Sequence, residues 1–134
     1  MSVELSSDVT AFLKDARVAR LATNGPHGPH VVPVCPVLDR DRVLIATEPT
    51  RKTEHLRADP RVGLAYDDYE EDWSRLRGVS VAGRATLHAA GEVWERGRTL
   101  LYEKFPQYET VSPIEPGRTL MIEIELDWVS GGGL

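Results

Sequence analysis

Residues Arg17–Thr47 read RVARLATNGPHGPHVVPVCPVLDRDRVLIAT. Three apolar, β-branched runs stand in this stretch: Arg17–Thr23, Pro29–Leu38 and Val43–Thr47. Only turn residues separate them. Asn24–Gly28 (NGPHG) makes the first two a hairpin, and Asp39–Arg42 (DRDR) turns the chain into the third. Parallel strands need a crossover of about a dozen residues or more, and neither gap allows one. The stretch therefore predicts an antiparallel meander and argues against a doubly wound α/β fold.

The flanks extend this pattern. Upstream, Ser6, Ser7 and Asp8 offer N-caps for a short helix with Val9, Phe12 and Leu13 on one face. Downstream, Thr50 caps a second helix, Arg61–Asp67 returns as a strand, and a polar loop (DYEEDWSRL) leads to a strand over Gly78–Leu87. Val93, Trp94, Leu100, Leu101 and Phe105 fall at helical spacing within Gly91–Phe105. In the last run, Leu120, Ile122, Ile124, Leu126 and Trp128 alternate with Met121, Glu123, Glu125 and Asp127. Period two predicts a strand with the first set buried and the second wet. The sum is six strands and three short helices: a mainly β fold, a small antiparallel barrel with helices over its mouths.

Composition narrows the function classes. A chain of 134 residues with 41% hydrophobic residues makes one domain over 1–134, or a subunit that completes its core by pairing with a copy. The net charge of −5 argues against a nucleic-acid surface. No apolar run reaches the roughly 18 residues of a membrane span, and MSVELSSDV lacks a signal-peptide layout. The single cysteine cannot form an internal disulfide, so the reducing cytoplasm is the expected compartment.

Against this acidic background, Thr47–Pro60 (TEPTRKTEHLRADP) carries an electrostatic conflict. A helix N-terminus is the positive end of the dipole and favours acidic residues. Here its first two positions are Arg51 and Lys52, between the hydroxyls of Thr50 and Thr53. A bound phosphate resolves the conflict: backbone N–H groups and the dipole hold it, Arg51 adds a fork, Lys52 a point charge, and Thr47 a further hydroxyl. The alternative is a solvated helix start with Glu54 screening both cations. In the second strand, Pro33 and Pro36 each remove a ladder donor. Such a break either exposes backbone groups to the edge of a polar heterocycle or protects an edge strand from aggregation.

The ordered segments strand–TEPTRKTEHLRADPRV–strand, ARVARLATNGPHGPHVVPV and YDDYEEDWSRLRGVSVAGRATL resemble the pyridoxamine 5'-phosphate oxidase-like split β-barrel proteins, and within them the actinobacterial flavin/deazaflavin oxidoreductase branch. The resemblance covers Val18–Leu87 well and the remainder loosely. It implies an antiparallel six-stranded split barrel of the FMN-binding type, working as a homodimer with coenzyme F420 or FMN at the subunit interface. It places the phosphate on Thr47, Thr50, Arg51, Lys52 and Thr53, and the tricyclic ring against Val32, Pro33 and Val34. Trp73 and Arg77 of the facing subunit are the candidates that complete the pocket. Gly78 departs from the larger residue often found there, which leaves room for a bulkier substrate.

Other constellations carry less. His27 and His30 lie close across a turn, but His55 and His88 stand at no spacing that completes a zinc site. Cys35 lacks an acid–base partner in a motif and reads as a small buried hydrophobe. The acidic run Asp67, Asp68, Glu70, Glu71 and Asp72 reads as a solvated loop, within which Trp73 needs burial. The expectation is an oxidoreductase passing a hydride to a small organic substrate; the resemblance favours F420 over FMN, and Arg57 and Arg61 are available to the acidic tail that F420 carries. A non-catalytic cofactor-binding module and a haem-binding protein, with His27, His30, His55 or His88 as ligand, are the alternatives. No catalytic residue is named.

Overall fold

The computed structural model describes residues 3–134; Met1 and Ser2 of the N-terminal stretch read above lie outside it. In chain order the elements are α1 (Ser7–Asp15), β1 (Ala19–Gly25), β2 (Gly28–Val34), β3 (Val37–Asp39), β4 (Arg42–Thr47), α2 (Arg51–Ala58), β5 (Arg61–Asp68), a 3₁₀ turn (Trp73–Arg75), β6 (Arg77–His88), α3 (Glu92–Lys104), α4 (Tyr108–Val111) and β7 (Leu120–Gly132). The fold is mainly β, as the alternation predicts. It has seven strands rather than six, and the four-residue helix α4 has no counterpart in the sequence reading.

The extra strand arises at Cys35–Pro36, where the run Pro29–Leu38 breaks into β2 and β3. Pro36 has no N–H to continue the ladder. The break also corrects the meander. All seven strands join one sheet in the order β2-β1-β5-β6-β7-β4-β3, so β2 and β3 occupy its opposite edges. Val34 and Val37 are three residues apart, a span of at most about 11 Å. The two edges must therefore meet, and the sheet rolls into a barrel. The seam is closed by the chain itself, since β2 pairs only with β1 and β3 only with β4. This is a split barrel.

Inward residues of every long strand fill the interior, among them Leu21, Val43, Ile45, Leu64, Val81 and Ile124. Leu13 of α1 and Leu56 of α2 enter the same cluster. A second cluster forms outside the barrel, where Trp94 and Leu101 of α3 and Phe105 at its C-terminal cap cover Leu44 and Met121. Met121, expected on the wet face, is thus fully buried. The indole Nε1 of Trp94 donates to the Thr119 carbonyl at 2.9 Å, which satisfies the only polar atom in that side chain.

Trp128 departs from the expected alternation. Ala82 pairs with Trp128 but Gly83 pairs with Leu126, so Asp127 is an extra residue in β7. Such a bulge reverses the phase of a strand. Val129 turns inward to the core cluster, and Trp128 turns outward, 54% exposed. Gly83 permits this: a Cβ there would lie 2.3 Å from the Glu125 carbonyl oxygen.

The bulge completes a row across the barrel's outer face. Val31 lies opposite Ala22, Ala22 opposite Gly63, Gly63 opposite Ala82 and Ala82 opposite Trp128. Three small residues thus make a shallow trough between Val31, 60% exposed, and Trp128. Among the described residues no helix is long and apolar enough to cross a membrane.

Candidate functional site

The second helix begins where the sequence places it, with Thr50 as N-cap in extended geometry. The Thr53 hydroxyl accepts from the Thr50 N–H at 2.9 Å and donates to the Thr50 carbonyl at 2.8 Å. Thr53 is wholly buried. Its hydroxyl hydrogen is therefore committed to the cap, and Thr53 shapes the helix start rather than facing outward. The Thr50 hydroxyl accepts from Lys52 Nζ at 3.2 Å.

Arg51 and Lys52 diverge, because successive helical residues point about 100° apart. Lys52 is half-buried and borders a cleft of about 340 Å³ with Pro33, Val34, Cys35, Ile45 and Tyr108. Burial alone pushes its pKa below the ordinary lysine value. The cleft thus joins a desolvated ammonium at a helix N-terminus to the proline-broken strand. Pro33 and Val34 are in it; Val32 turns into the barrel and packs on the interior cluster.

Arg51 is exposed and lines a different cleft, of about 790 Å³, with His27, His30, Glu54 and His55. The sequence spacing gave no reason to group His55 with the other two. The structure does so because α2 packs beside the β1–β2 turn. His55 Nδ1 shares a hydrogen bond with the Thr23 hydroxyl at 2.9 Å, and the His30 and His55 rings meet edge to face at 5.2 Å. A Cβ on Gly25 would lie 2.7 Å from the His55 ring, so glycine is what admits it. His30 Nδ1 is buried without a partner. His88 stands apart, 2.9 Å from Glu123. Among the described residues no three His, Cys, Asp or Glu side chains are placed to hold a metal ion.

Thr47 also lies apart from Lys52. Its hydroxyl donates to the Glu48 carbonyl at 2.8 Å, and it borders a cavity of about 30 Å³ with Tyr108, Ser112 and Thr119. Tyr108 and Ala46 border both this cavity and the Lys52 cleft, so the two predicted phosphate ligands open onto separate spaces with these residues in common. The strand break is less open than the prolines suggest. Lys104 Nζ donates to the carbonyls of Pro36, at 3.0 Å, and Ala16, at 2.6 Å, so the freed Pro36 acceptor is occupied. Burial lowers the Lys104 pKa to about 8.

Trp73 is 72% exposed, with Nε1 donating to the Tyr69 hydroxyl at 3.4 Å. Arg77 pairs with Asp68 and lies over the Phe12 ring. It borders a third cleft, of about 670 Å³, together with Phe12, Arg20, Asp67 and Leu134. Within one chain this cleft meets the Lys52 cleft only at Val18, which borders both. Of the arginines proposed for an acidic tail, Arg61 is forked onto Asp59 at 3.0 and 2.8 Å. Sequence reasoning missed Val18, Cys35, Ile45, Ala46 and Tyr108 in the Lys52 cleft, of which Cys35 and Tyr108 carry reactive or polar side chains. Cys35 carried no motif, and Tyr108 sits in the proline-punctuated segment after α3.

A model of the pyridoxamine 5'-phosphate oxidase family matches residues 5–131. The chain belongs to that family. Solved structures of other proteins share its fold. A conserved hypothetical protein of Mycobacterium tuberculosis superposes with a TM-score of 0.82 at 23% identity, over 97% of this chain and 85% of that one. A FAD-binding protein of Mesorhizobium loti gives 0.74 at 25% identity, over 95% and 94%. The haem-storage protein HutZ of Vibrio cholerae gives 0.79 at 14% identity, over 96% and 94%. No curated protein is similar enough in sequence to count as a match. The fold is common to these proteins, and the two ligands named among them, FAD and haem, differ.

Proposed function

We propose that this split barrel binds a flavin-type cofactor, F420 in preference to FMN, and uses it as an oxidoreductase. The observation that carries the reading is the Lys52 cleft. It brings a half-buried, unneutralised ammonium at the α2 N-terminus against Pro33 and Val34, two features read separately from the sequence. Its volume lies within the range of about 300–1,000 Å³ usual for small-molecule sites. In this reading Lys52, the Thr50 hydroxyl and the first N–H groups of α2 hold the phosphate, with Arg51 closing from the neighbouring cleft and Thr53 fixing the cap. Thr47 joins them only by giving up its bond to the Glu48 carbonyl. Pro33 and Val34 support the ring.

The bound ring supplies hydride transfer to a small organic substrate, so the chain's own residues have to bind, orient and exclude water. A homodimer fits the same reading. The row from Val31 to Trp128 offers a small-residue trough with an exposed aromatic at its end, the kind of face a second copy covers. Trp73 and Arg77 of that copy would then complete the pocket.

The test is a titration of ligand-free protein with FMN and F420 in parallel, read by fluorescence. Tight binding of F420 assigns the deazaflavin branch; preference for FMN assigns the flavin branch. Binding without turnover of any hydride acceptor reduces the protein to a cofactor-holding module. Failure of both ligands removes the reading.

A second reading, haem binding, is favoured by one observation: His27, His30 and His55 border one cleft, and His30 Nδ1 has no partner there. It predicts a Soret band in the haem-loaded protein that shifts or disappears in His30→Ala. An unchanged spectrum in that variant and in His55→Ala ends it.

A further inference from the structure

We propose that Tyr108 is a ligand-contacting residue of the Lys52 cleft, whose phenol forms the wall facing Lys52 and supplies the neutral hydrogen-bond donor that Thr47 does not. This deepens the flavin-type reading and rests on it for the identity of the ligand, but not for the geometry. Three observations support it. Tyr108 lines the cleft of Lys52 and Thr47 does not, and of the two residues this cleft shares with the small cavity of Thr47, Ala46 and Tyr108, only Tyr108 carries a side-chain hydrogen-bond donor. The Thr47 hydroxyl already gives its hydrogen to the Glu48 carbonyl. Among the described residues, the Tyr108 hydroxyl donates to no protein acceptor, while its ring is held edge to face on Phe105 at 6.1 Å.

Tyr108 is also half-buried, and desolvation raises its pKa above the ordinary tyrosine value, as does the neighbouring Cys35. The phenol therefore keeps its proton throughout the neutral range and acts as a donor to an anionic or carbonyl oxygen. The ligand class that suits an ammonium on one side, a phenol on the other and proline and valine between is a planar molecule carrying an acidic oxygen at one end. Helix α4 is only four residues long, so the ring's position is fixed mainly by Phe105 and by the turn at Pro106–Gln107.

Cys35 makes the geometry testable without any cofactor. It is the chain's single cysteine, half-buried, and it lines the same cleft as Tyr108. The experiment measures the rate at which 5,5'-dithiobis(2-nitrobenzoate) modifies Cys35 in the full-length wild type, Tyr108→Phe, Tyr108→Ala and Val111→Ala. It is followed by FMN and F420 titrations of the same proteins, with circular dichroism confirming that each is folded. Removing the wall in Tyr108→Ala is expected to accelerate modification about tenfold or more. Tyr108→Phe keeps the wall and should react within about twofold of wild type. It should nevertheless bind the preferred cofactor about tenfold more weakly, since one donor to a charged or polar oxygen is lost. Val111→Ala, on the exposed side of α4, should match wild type in both assays.

Equal modification rates in wild type and Tyr108→Ala overturn the wall. Unchanged cofactor affinity in Tyr108→Phe overturns the donor. A wild type that binds neither cofactor removes the flavin-type reading and the donor assignment together, while the modification rates still decide whether Tyr108 closes the cleft.

Discussion

Replacing Lys52 should separate binding from folding. In the free protein Lys52 sits half-buried at the positive end of α2, bonded to the Thr50 hydroxyl at 3.2 Å and, among the described residues, in no ion pair. A cation at a helix N-terminus costs about 0.3–1 kcal/mol, so Lys52→Ala is expected to leave the ligand-free protein as stable as wild type or slightly more so. An ammonium bonded to phosphate contributes about 1.5–3 kcal/mol, so the same variant should bind FMN or F420 about 10- to 150-fold more weakly at pH 7.

The pH dependence sharpens the test. Burial lowers the pKa of free Lys52, whereas a bound anion would raise it. Affinity should therefore be level below the free-protein pKa. Above it, affinity should fall by up to about tenfold per pH unit, as binding must first restore the proton. Lys52→Arg does not titrate in this range and should lack that fall. The assay is the dissociation constant of each variant from pH 7 to 10, with the arginine variant cancelling any titration of the ligand itself. A constant ratio of wild-type to Lys52→Arg affinity across that range, or Lys52→Ala within threefold of wild type at pH 7, would refute the phosphate assignment.

Three further outcomes follow from particular contacts. Trp128→Glu places a charge at the end of the outer trough and should weaken dimerisation at least about thirtyfold, read by light scattering at micromolar concentration; an unaltered dimer, or a monomeric wild type, excludes this face. Gly83→Ala puts a methyl against the Glu125 carbonyl, 2.3 Å from its Cβ, and should cost about 1–3 kcal/mol in urea unfolding, with no loss meaning the bulge yields freely. Lys104 has a folded pKa of about 8, below its unfolded value, so the unfolded chain binds more protons between about pH 8 and 10.5. Wild-type stability should therefore rise relative to Lys104→Met across that window, and a flat difference would show that the carbonyls of Ala16 and Pro36 compensate the burial.

What the sequence disclosed was whatever depends on near neighbours. Period two in Leu120–Leu126 located the inner face, turn residues bounded the hairpins, and Thr50–Thr53 marked the helix start. What it hid depends on residues distant in the chain. Pro36 announced a break, but not that β3 would leave β2 for the far edge of the sheet. Trp128 followed the alternation perfectly, and only its partner Gly83, across the ladder, allows the bulge that turns it outward. Met121 looked solvent-facing because α3, which buries it, is an independent element. His55 and Tyr108 reached their clefts by helix packing, for which linear spacing carries no signal.

The adjacent cations keep their significance in the folded chain, in altered form. A solvated helix start required Glu54 to screen them, yet Glu54 makes no ion pair with either among the described residues, although it borders the cleft of Arg51. The carboxylates that flank the helix in sequence are committed elsewhere: Glu48 pairs with Arg118 at 2.9 Å and Asp59 with Arg61 at 2.8 Å. Among the described residues, therefore, neither of the two positive charges at this positive helix end has an ion-pair partner. One of them is partly withdrawn from water, where an unpaired charge is most costly. A protein selected only for stability has inexpensive remedies, such as Asp at either position. Retaining the conflict in a concave site makes sense where an anion from outside resolves it, and the divergence of the two side chains into separate clefts means that Lys52, not Arg51, is the residue on which that anion's affinity should chiefly depend.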